Sequence, residues 1–130
     1  MSPSSPDTFL YVPTFYNDDS PPVIGSFPDV SNWKATLAYV YSNGEFGLQH
    51  VNITVDGVTT TLGRDYLAAV KVPSLGDGSG HQYMTVAAFI SPLKPGTHTI
   101  SYTFSAAGQA LASCCNGSFA GSASYTVIVH

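Results

Sequence analysis

The chain has 130 residues, a formal net charge of −4 and a charged share of only 9%, against about 25% in typical globular domains. Its four cations, Lys34, Arg64, Lys71 and Lys94, are scattered and form no basic cluster, which argues against nucleic-acid binding. The longest apolar runs are far too short to cross a bilayer, so the sequence also argues against membrane insertion.

Length and composition suit one folded domain. Hydrophobic residues make up 44% of the sequence, which excludes an electrolyte-like disordered chain. Residues 1–8, rich in Ser and Pro, predict a flexible N-terminal segment, and residues 9–130 predict a single domain. The N-terminal segment lacks the basic and apolar parts of a signal peptide. The protein therefore either stays in the cytosol or has lost its signal peptide. Because the chain is rich in Ser and Thr and poor in charge, we favour the second alternative and expect a secreted, extracellular protein.

Short runs of β-branched and aromatic residues, separated by turn residues, predict the strands. In chain order they cover residues 9–15, 33–41, 49–55, 58–62, 66–72, 82–90, 97–104 and 124–129. Pro13 suits an edge position, because proline has no N–H to donate to a neighbouring strand. Asp56-Gly57 predicts a two-residue hairpin turn. Residues 106–122 predict a long loop of small residues.

Helix-forming residues are scarce in this chain. It has one Glu, three Lys and one Arg, so long surface helices are not expected. Strands with one apolar face each need a second layer to cover that face. The sequence therefore predicts an all-β fold: a two-sheet antiparallel β-sandwich of the immunoglobulin-like kind, with eight or nine strands.

Three segments carry a resemblance to known proteins. They are the hairpin Val55-Asp56-Gly57-Val58, the run Pro92-Leu93-Lys94-Pro95-Gly96-Thr97-His98-Thr99-Ile100 and the closing strand Tyr125-Thr126-Val127-Ile128-Val129. Over residues 50–130 this pattern resembles secreted microbial β-sandwich proteins of the immunoglobulin-like and fibronectin-like kinds, most of which have no assigned function. The resemblance implies the sandwich fold and a secreted setting, and it implies no active site.

No group of residues has the spacing of a catalytic centre. Serines are plentiful, but none lies in a Gly-x-Ser-x-Gly elbow between a strand and a helix. Glu45 is the only glutamate, and we expect it to be a solvated loop charge because it follows a turn glycine. His98 lies on the inward side of its predicted strand, where we expect a packed imidazole that is hydrogen-bonded to a neighbouring strand or tyrosine.

Loop aspartates offer the hard oxygen ligands that calcium prefers. The two candidate loops are Asn17-Asp18-Asp19 and Asp77-Gly78-Ser79-Gly80. Neither loop follows the EF-hand spacing, and turn formation alone also explains aspartates at such positions. The sequence therefore leaves calcium open, with Asp18, Asp19 and Asp77 as candidate ligands, and indicates no other cofactor.

Aromatic residues are abundant: eight Tyr, seven Phe and one Trp. Sugar-binding β-sandwiches use exposed aromatic faces to stack on pyranose rings. The aromatics crowd around the first predicted strand, and Trp33 begins the next. We therefore take Tyr11, Phe15, Tyr16 and Trp33 as candidate ligand-binding residues, with the alternative that these side chains fill the core between the sheets.

Two kinds of covalent modification are open. Asn52-Ile53-Thr54 and Asn116-Gly117-Ser118 match the N-glycosylation pattern, and Asn52 and Asn116 are predicted on an outward strand face and in a loop. Cys114 and Cys115 are adjacent and match no zinc-site spacing. A reduced pair, a vicinal disulfide and pairing with another chain are all compatible with this sequence.

These observations favour a non-catalytic extracellular module that binds a polysaccharide or a protein partner. The alternative is a structural subunit that assembles through sheet edges or a donated N-terminal strand, because few charges guard its edges against strand addition. A third interpretation is a small enzyme with a pocket between the sheets, lined by His98 and nearby polar groups.

Overall fold

The computed structural model describes residues 9–75 and 80–130. These residues contain seven strands, one α-helix and two short 3-10 helices. The strands are β1 (Leu10–Asp18), β2 (Leu48–Val55), β3 (Val58–Thr61), β4 (Leu67–Lys71), β5 (Gln82–Ile90), β6 (Gly96–Ala106) and β7 (Phe119–Val129). Helix α1 is Trp33–Tyr41, and the 3-10 helices are Arg64–Tyr66 and Gln109–Ala112.

Two antiparallel sheets pack against each other as a sandwich. One has three strands in the order β1-β5-β4, and the other has four in the order β3-β2-β6-β7. The predicted two-sheet antiparallel sandwich is therefore confirmed. The predicted count of eight or nine strands was wrong for the described part of the chain, which has seven, because one predicted strand is helix α1.

Turn chemistry and alternation account for the four-stranded sheet. Asp56 and Gly57 both have positive φ angles, 49° and 84°, so the predicted hairpin turn forms between β2 and β3. On β6, Ile100 and Phe104 are buried on the inner face, while Thr99 and Thr103 are exposed on the opposite face. Side-chain period and turn type thus fix the register of this sheet.

Strand β1 is an edge strand and carries a β-bulge. Its register with β5 shifts between Pro13 and Phe15, so Thr14 is the extra residue. The Thr14 hydroxyl donates to the Val86 carbonyl over 2.6 Å, and the Thr85 hydroxyl donates to the Phe15 carbonyl over 2.8 Å. These two buried hydrogen bonds hold the bulge against β5.

Phe15 lies at the centre of the core and is only 1% exposed. Its ring centroid is 4.9 Å from that of Phe46 and 6.0 Å from that of Phe104, both in edge-on geometry. Tyr39 of α1 extends this cluster through Phe46, at 6.2 Å. The ring of Phe15 therefore joins the three-stranded sheet to β6 and to the segment that follows the helix.

The second predicted strand is instead helix α1. The Asn32 side chain accepts a hydrogen bond from the Ala35 N–H and caps the helix N-terminus. Thr36, Tyr39 and Val40, spaced three and four residues apart, are buried. Residues 33–41 carry both the alternation that predicted a strand and this helical spacing, and the cap together with the core contacts selects the helix.

Other boundaries also differ from the predictions. Strand β1 continues to Asp18, so Asn17 and Asp18 lie in the strand and not in the predicted loop. The predicted strand 66–72 is the shorter β4, preceded by the 3-10 helix Arg64–Tyr66. The predicted loop 106–122 contains the second 3-10 helix, and β7 begins at Phe119 rather than at residue 124. Four of residues 119–123 are small, which predicted a loop, yet these residues pair regularly with β6.

The Asn32 cap makes a first prediction. Replacing Asn32 with Ala should lower the free energy of unfolding by about 1 kcal/mol, since an orphan helix N–H loses its acceptor. Urea unfolding followed by circular dichroism measures this change. Asn32→Asp, which keeps the acceptor, should retain most of the stability, and equal losses for both variants would contradict the capping role.

The His98 imidazole ties the start of β6 to the β2–β3 turn. Its Nδ1 lies 2.6 Å from Asp56 Oδ2, and its Nε2 lies 2.6 Å from the Lys94 carbonyl oxygen. Both partners are acceptors, so both ring nitrogens donate, which requires the protonated ring. The hydrogen bond to Asp56, with that to Lys94, raises the pKa of His98 above its ordinary 6.5, and the hydrogen bond from His98 lowers the pKa of Asp56.

This pair makes stability depend on pH. The contribution of His98 is fully present below its unfolded pKa and is lost as the pH rises through the raised folded pKa. The stability difference between the wild type and His98→Gln should therefore be larger at about pH 5 than at about pH 9. Urea unfolding at the two pH values measures it, and an unchanged difference would show that the ring is not protonated in the folded state.

Candidate ligand-binding surface

Four aromatic side chains form one exposed patch, here called the aromatic face: Tyr11 and Tyr16 of β1, and Tyr83 and Phe89 of β5. In a strand, alternate residues point to opposite faces, and the buried residues of β5 between these positions, such as Met84, point into the core. The bulge on β1 brings Tyr11 and Tyr16 to the same outer face of the three-stranded sheet.

The rings of the aromatic face are grouped in two pairs. Tyr11 and Phe89 have centroids 5.2 Å apart, and Tyr16 and Tyr83 are stacked at 6.2 Å with 27° between their planes. Phe89 is 75% exposed, Tyr16 66% and Tyr11 50%. Rings this exposed do not belong to the core. A contiguous exposed apolar patch is typical of an interaction site, so these side chains are available to a ligand.

The aromatic face is electrically neutral over most of its area. Burial raises the pKa of the Tyr83 hydroxyl, a hydrogen bond with Thr85 opposes the rise, and the neighbouring Tyr11 and Tyr16 hydroxyls add to it. Asp18, which pairs with Tyr83 at the end of β1, is the one charged residue on the outer side of these two strands. The rings therefore offer apolar faces and neutral hydroxyls.

A groove adjoins the aromatic face on the open side of the sandwich, between β1 and β7, which are edge strands of the described sheets. We call it the seam groove; it encloses about 380 Å³ and is lined by Thr14, Tyr16, Tyr102, Phe104, Phe119, Gly121 and Ser122. Burial raises the pKa of Tyr102, and the nearby Tyr125 and Tyr16 hydroxyls raise it further. Tyr16 thus belongs to both the aromatic face and the seam groove.

The structure divides the four aromatic residues that the sequence singled out. Tyr11 and Tyr16 lie on the aromatic face, but Phe15 is buried in the core and cannot contact a ligand there. Trp33 is 45% exposed at the start of α1, on a different element from β1 and β5. The bulge at Thr14 is the reason, because it turns Phe15 inward and Tyr16 outward.

Sequence reasoning missed Tyr83 and Phe89. Both lie on β5, which is the central strand of its sheet. The signal that could have found these residues is the alternation of the large rings with Met84, Val86 and Ala88, which marks a second face of different composition.

The candidate calcium ligands are engaged by backbone N–H groups. Asp18 Oδ1 accepts from Ser20 N–H over 2.8 Å, and Asp19 Oδ1 accepts from His81 and Gln82 N–H over 2.7 and 2.9 Å. Burial would raise the pKa of Asp19, but these hydrogen bonds lower it below 3.8. Asp77 lies outside the described residues. Within residues 9–75 and 80–130, no three His, Cys, Asp or Glu side chains are grouped to hold a metal.

The two candidate glycosylation asparagines lie on different kinds of backbone. Asn52 is on the outward face of β2, between β3 and β6, and its side-chain oxygen accepts from the Thr61 hydroxyl over 2.8 Å. Asn116 is exposed in the turn before β7, with a positive φ of 54°. Of the two, Asn116 offers its amide group with less hindrance.

Cys114 and Cys115 are joined in a vicinal disulfide. It lies in the turn between the second 3-10 helix and β7, where the Leu111 carbonyl accepts from the N–H groups of Cys115 and Gly117. Leu111 itself is fully buried. The turn that carries the disulfide therefore leads directly into Phe119 at the seam groove.

His98 does not line the aromatic face or the seam groove. Both of its ring nitrogens are bound, to Asp56 and to Lys94, and it is not among the residues that line the seam groove. The interpretation of a small enzyme with a pocket lined by His98 therefore stays a prediction.

The fold and this surface together define a two-sheet antiparallel β-sandwich with an exposed aromatic face beside an open seam. No protein-family model matches the chain, and no curated protein and no solved structure matches it either. None of the helices in the described part of the chain is long and apolar enough to span a membrane.

The vicinal disulfide gives a direct prediction. Denatured, unreduced protein should show no reaction with a thiol reagent, and reduction should then release two thiols per chain, since the sequence contains only two cysteines. Cys114→Ser is the matched control, because it leaves one thiol that reacts without reduction. Two reactive thiols in unreduced protein would contradict the disulfide.

Proposed function

We propose that the protein is a non-catalytic extracellular module that binds a neutral polysaccharide through the aromatic face. The observation that carries this proposal is the row of four rings on the outer side of β1 and β5, three of them at least half exposed. Sugar rings present apolar C–H faces that stack on aromatic rings, and their hydroxyls pair with neutral polar groups. The Tyr hydroxyls of the aromatic face supply such groups.

Charge and spacing narrow the ligand class. No Lys or Arg lies on the outer side of β1 or β5, so an acidic polysaccharide would gain no ion pair, and we infer a neutral one. Tyr11 and Tyr16 pair with Phe89 and Thr85, which are four residues apart on β5, or about 13 Å along a strand. An extended glycan chain lying along β1 would therefore contact both ring pairs through several of its sugar units.

The strand order resembles that of immunoglobulin domains, and this likeness supports an extracellular setting. In immunoglobulin nomenclature, the order β1-β5-β4 corresponds to strands B-E-D, and β3-β2-β6-β7 corresponds to C′-C-F-G. We infer an immunoglobulin-like sandwich in which no described strand occupies the A position beside β1. Domains of this kind are common at cell surfaces, and the vicinal disulfide suits an oxidising compartment.

A protein partner is the second candidate, because large exposed rings also anchor protein interfaces. The alternative of a donated N-terminal strand concerns residues 1–8, which lie outside the described residues. Assembly through a sheet edge is favoured by a separate feature: β7 is an edge strand of 11 residues without proline or charge.

Binding of insoluble cellulose, chitin and mannan, and of their soluble oligosaccharides, tests the proposal. Phe89→Ala should weaken binding to the recognised glycan by about tenfold, or about 1.4 kcal/mol, the scale of one lost stacking contact with its buried area. The measurement is depletion from solution for insoluble glycans and calorimetry for soluble ones.

Trp33→Ala is the matched control, because it removes an exposed aromatic ring from α1 and leaves the aromatic face intact. It should bind like the wild type. Equal losses of glycan binding for Phe89→Ala and Trp33→Ala would show that the site lies elsewhere. If the wild type binds no glycan, the polysaccharide proposal fails and a protein partner becomes the favoured ligand.

A further inference from the structure

The sandwich has four edge strands, and three of them are poorly suited to pair with another chain. Strand β3 has four residues and β4 has five. Strand β1 is longer, but Pro13 lacks an N–H and the bulge at Thr14 breaks its register. Short edges, prolines and bulges are the devices by which natural sheets prevent edge-to-edge association.

Strand β7 has none of these protections. It covers 11 residues, Phe119–Val129, with no proline and no charged residue. Its pairing with β6 runs without a register shift from end to end. Among residues 9–75 and 80–130, no strand pairs with its other edge, which borders the four-stranded sheet. A long, regular and uncharged edge of this kind is a template for strand addition.

The inward-facing side chains of β7 are also incompletely covered. Tyr125 and Phe119 lie on the core side of β7 with Val127, yet Tyr125 is 39% and Phe119 44% exposed while Val127 is buried. The cause is that the sheet opposite has three strands and ends at β1. Part of each of these two rings therefore stays exposed to solvent, beside the outer edge of β7.

We propose that two copies of this chain pair through β7, antiparallel and about a two-fold axis at Ala123, to form one eight-stranded sheet. This register keeps inward residues opposite inward residues. It places Gly121 opposite the partner's Tyr125, and Phe119 opposite the partner's Val127.

Gly121 lies under the ring of Phe104, its cross-strand partner on β6, and this ring leaves no room for a Cβ at the position. Aromatic cover of a glycine across a strand pair is a recognised stabilising arrangement, so Phe104 helps to keep this part of β7 in regular strand geometry. Because β7 carries no charge, the two copies meet no repulsion along the edge.

The dimer would also change how the proposed ligand is bound, and this consequence rests on the proposed function. A two-fold axis through an antiparallel strand pair is perpendicular to the sheet. Both three-stranded sheets then lie on the same side of the eight-stranded sheet, and both aromatic faces point in one direction. Two sites directed at one insoluble surface bind with an effective concentration that exceeds single-site affinity.

Solution mass, measured by light scattering across a concentration series, tests the pairing. Ser122 and Ser124 are exposed and face outward, and the proposed register puts Ser122 of one copy opposite the partner's Ser124. The acidic double variant S122D/S124D and the basic double variant S122K/S124K each place like charges across the interface. Each should be monomeric, whereas the wild type should have the mass of two chains.

Mixing the two variants is the decisive arm, because opposite charges then face each other and should restore a heterodimer. A wild type that stays monomeric at every concentration, or single-sign variants that remain dimeric, would overturn the β7 pairing. These masses are measured without glycan, so a dimer that binds no glycan would reject the proposed function alone. A monomer that binds glycan would reject the dimer alone.

Discussion

The bulge at Thr14 determines which side chains of β1 face the core and which face solvent. In an unbroken strand, residues four apart share a face, so Tyr11 and Phe15 would lie together and Tyr16 would lie opposite. The extra residue reverses this alternation: Phe15 enters the core between Phe46 and Phe104, and Tyr16 joins Tyr11 outside. Two buried hydroxyl hydrogen bonds fix the bulge against β5. Both the core and the aromatic face therefore depend on one irregular residue.

The unequal sheets explain the rest of the surface. Three strands facing four leave the inner side of β7 without full cover, and this produces the seam groove and the exposed rings of Phe119 and Tyr125. The same arrangement separates two roles. The outer side of β1 and β5 presents rings to a ligand, and the guarded edge of β1 contrasts with the unguarded edge of β7. Ligand binding and self-association are thus proposed for different strands of one sandwich.

The sequence predicted the layers better than the site. Its turn residues and alternation located the β2–β3 hairpin and the inward face of β6, because Asp56-Gly57 and the apolar period are local signals. It could not separate strand from helix at 33–41, where both periods are present and the Asn32 cap decides. It placed Phe15 with the surface aromatics because a bulge depends on the partner strand. Phe89 was missed because its exposure depends on whether another layer covers the outer side of the three-stranded sheet, which the local sequence does not show.

An NMR titration of protein with 13C-labelled aromatic rings against the soluble oligosaccharide of the recognised neutral glycan tests the aromatic face most directly. The ring signals of Tyr11, Tyr16, Tyr83 and Phe89 should shift together, and those of Phe15 and Trp33 should stay unchanged. Shifts confined to Trp33, or spread over the rings of the core, would contradict the claim that the bulged strand β1 and its neighbour β5 form the binding surface.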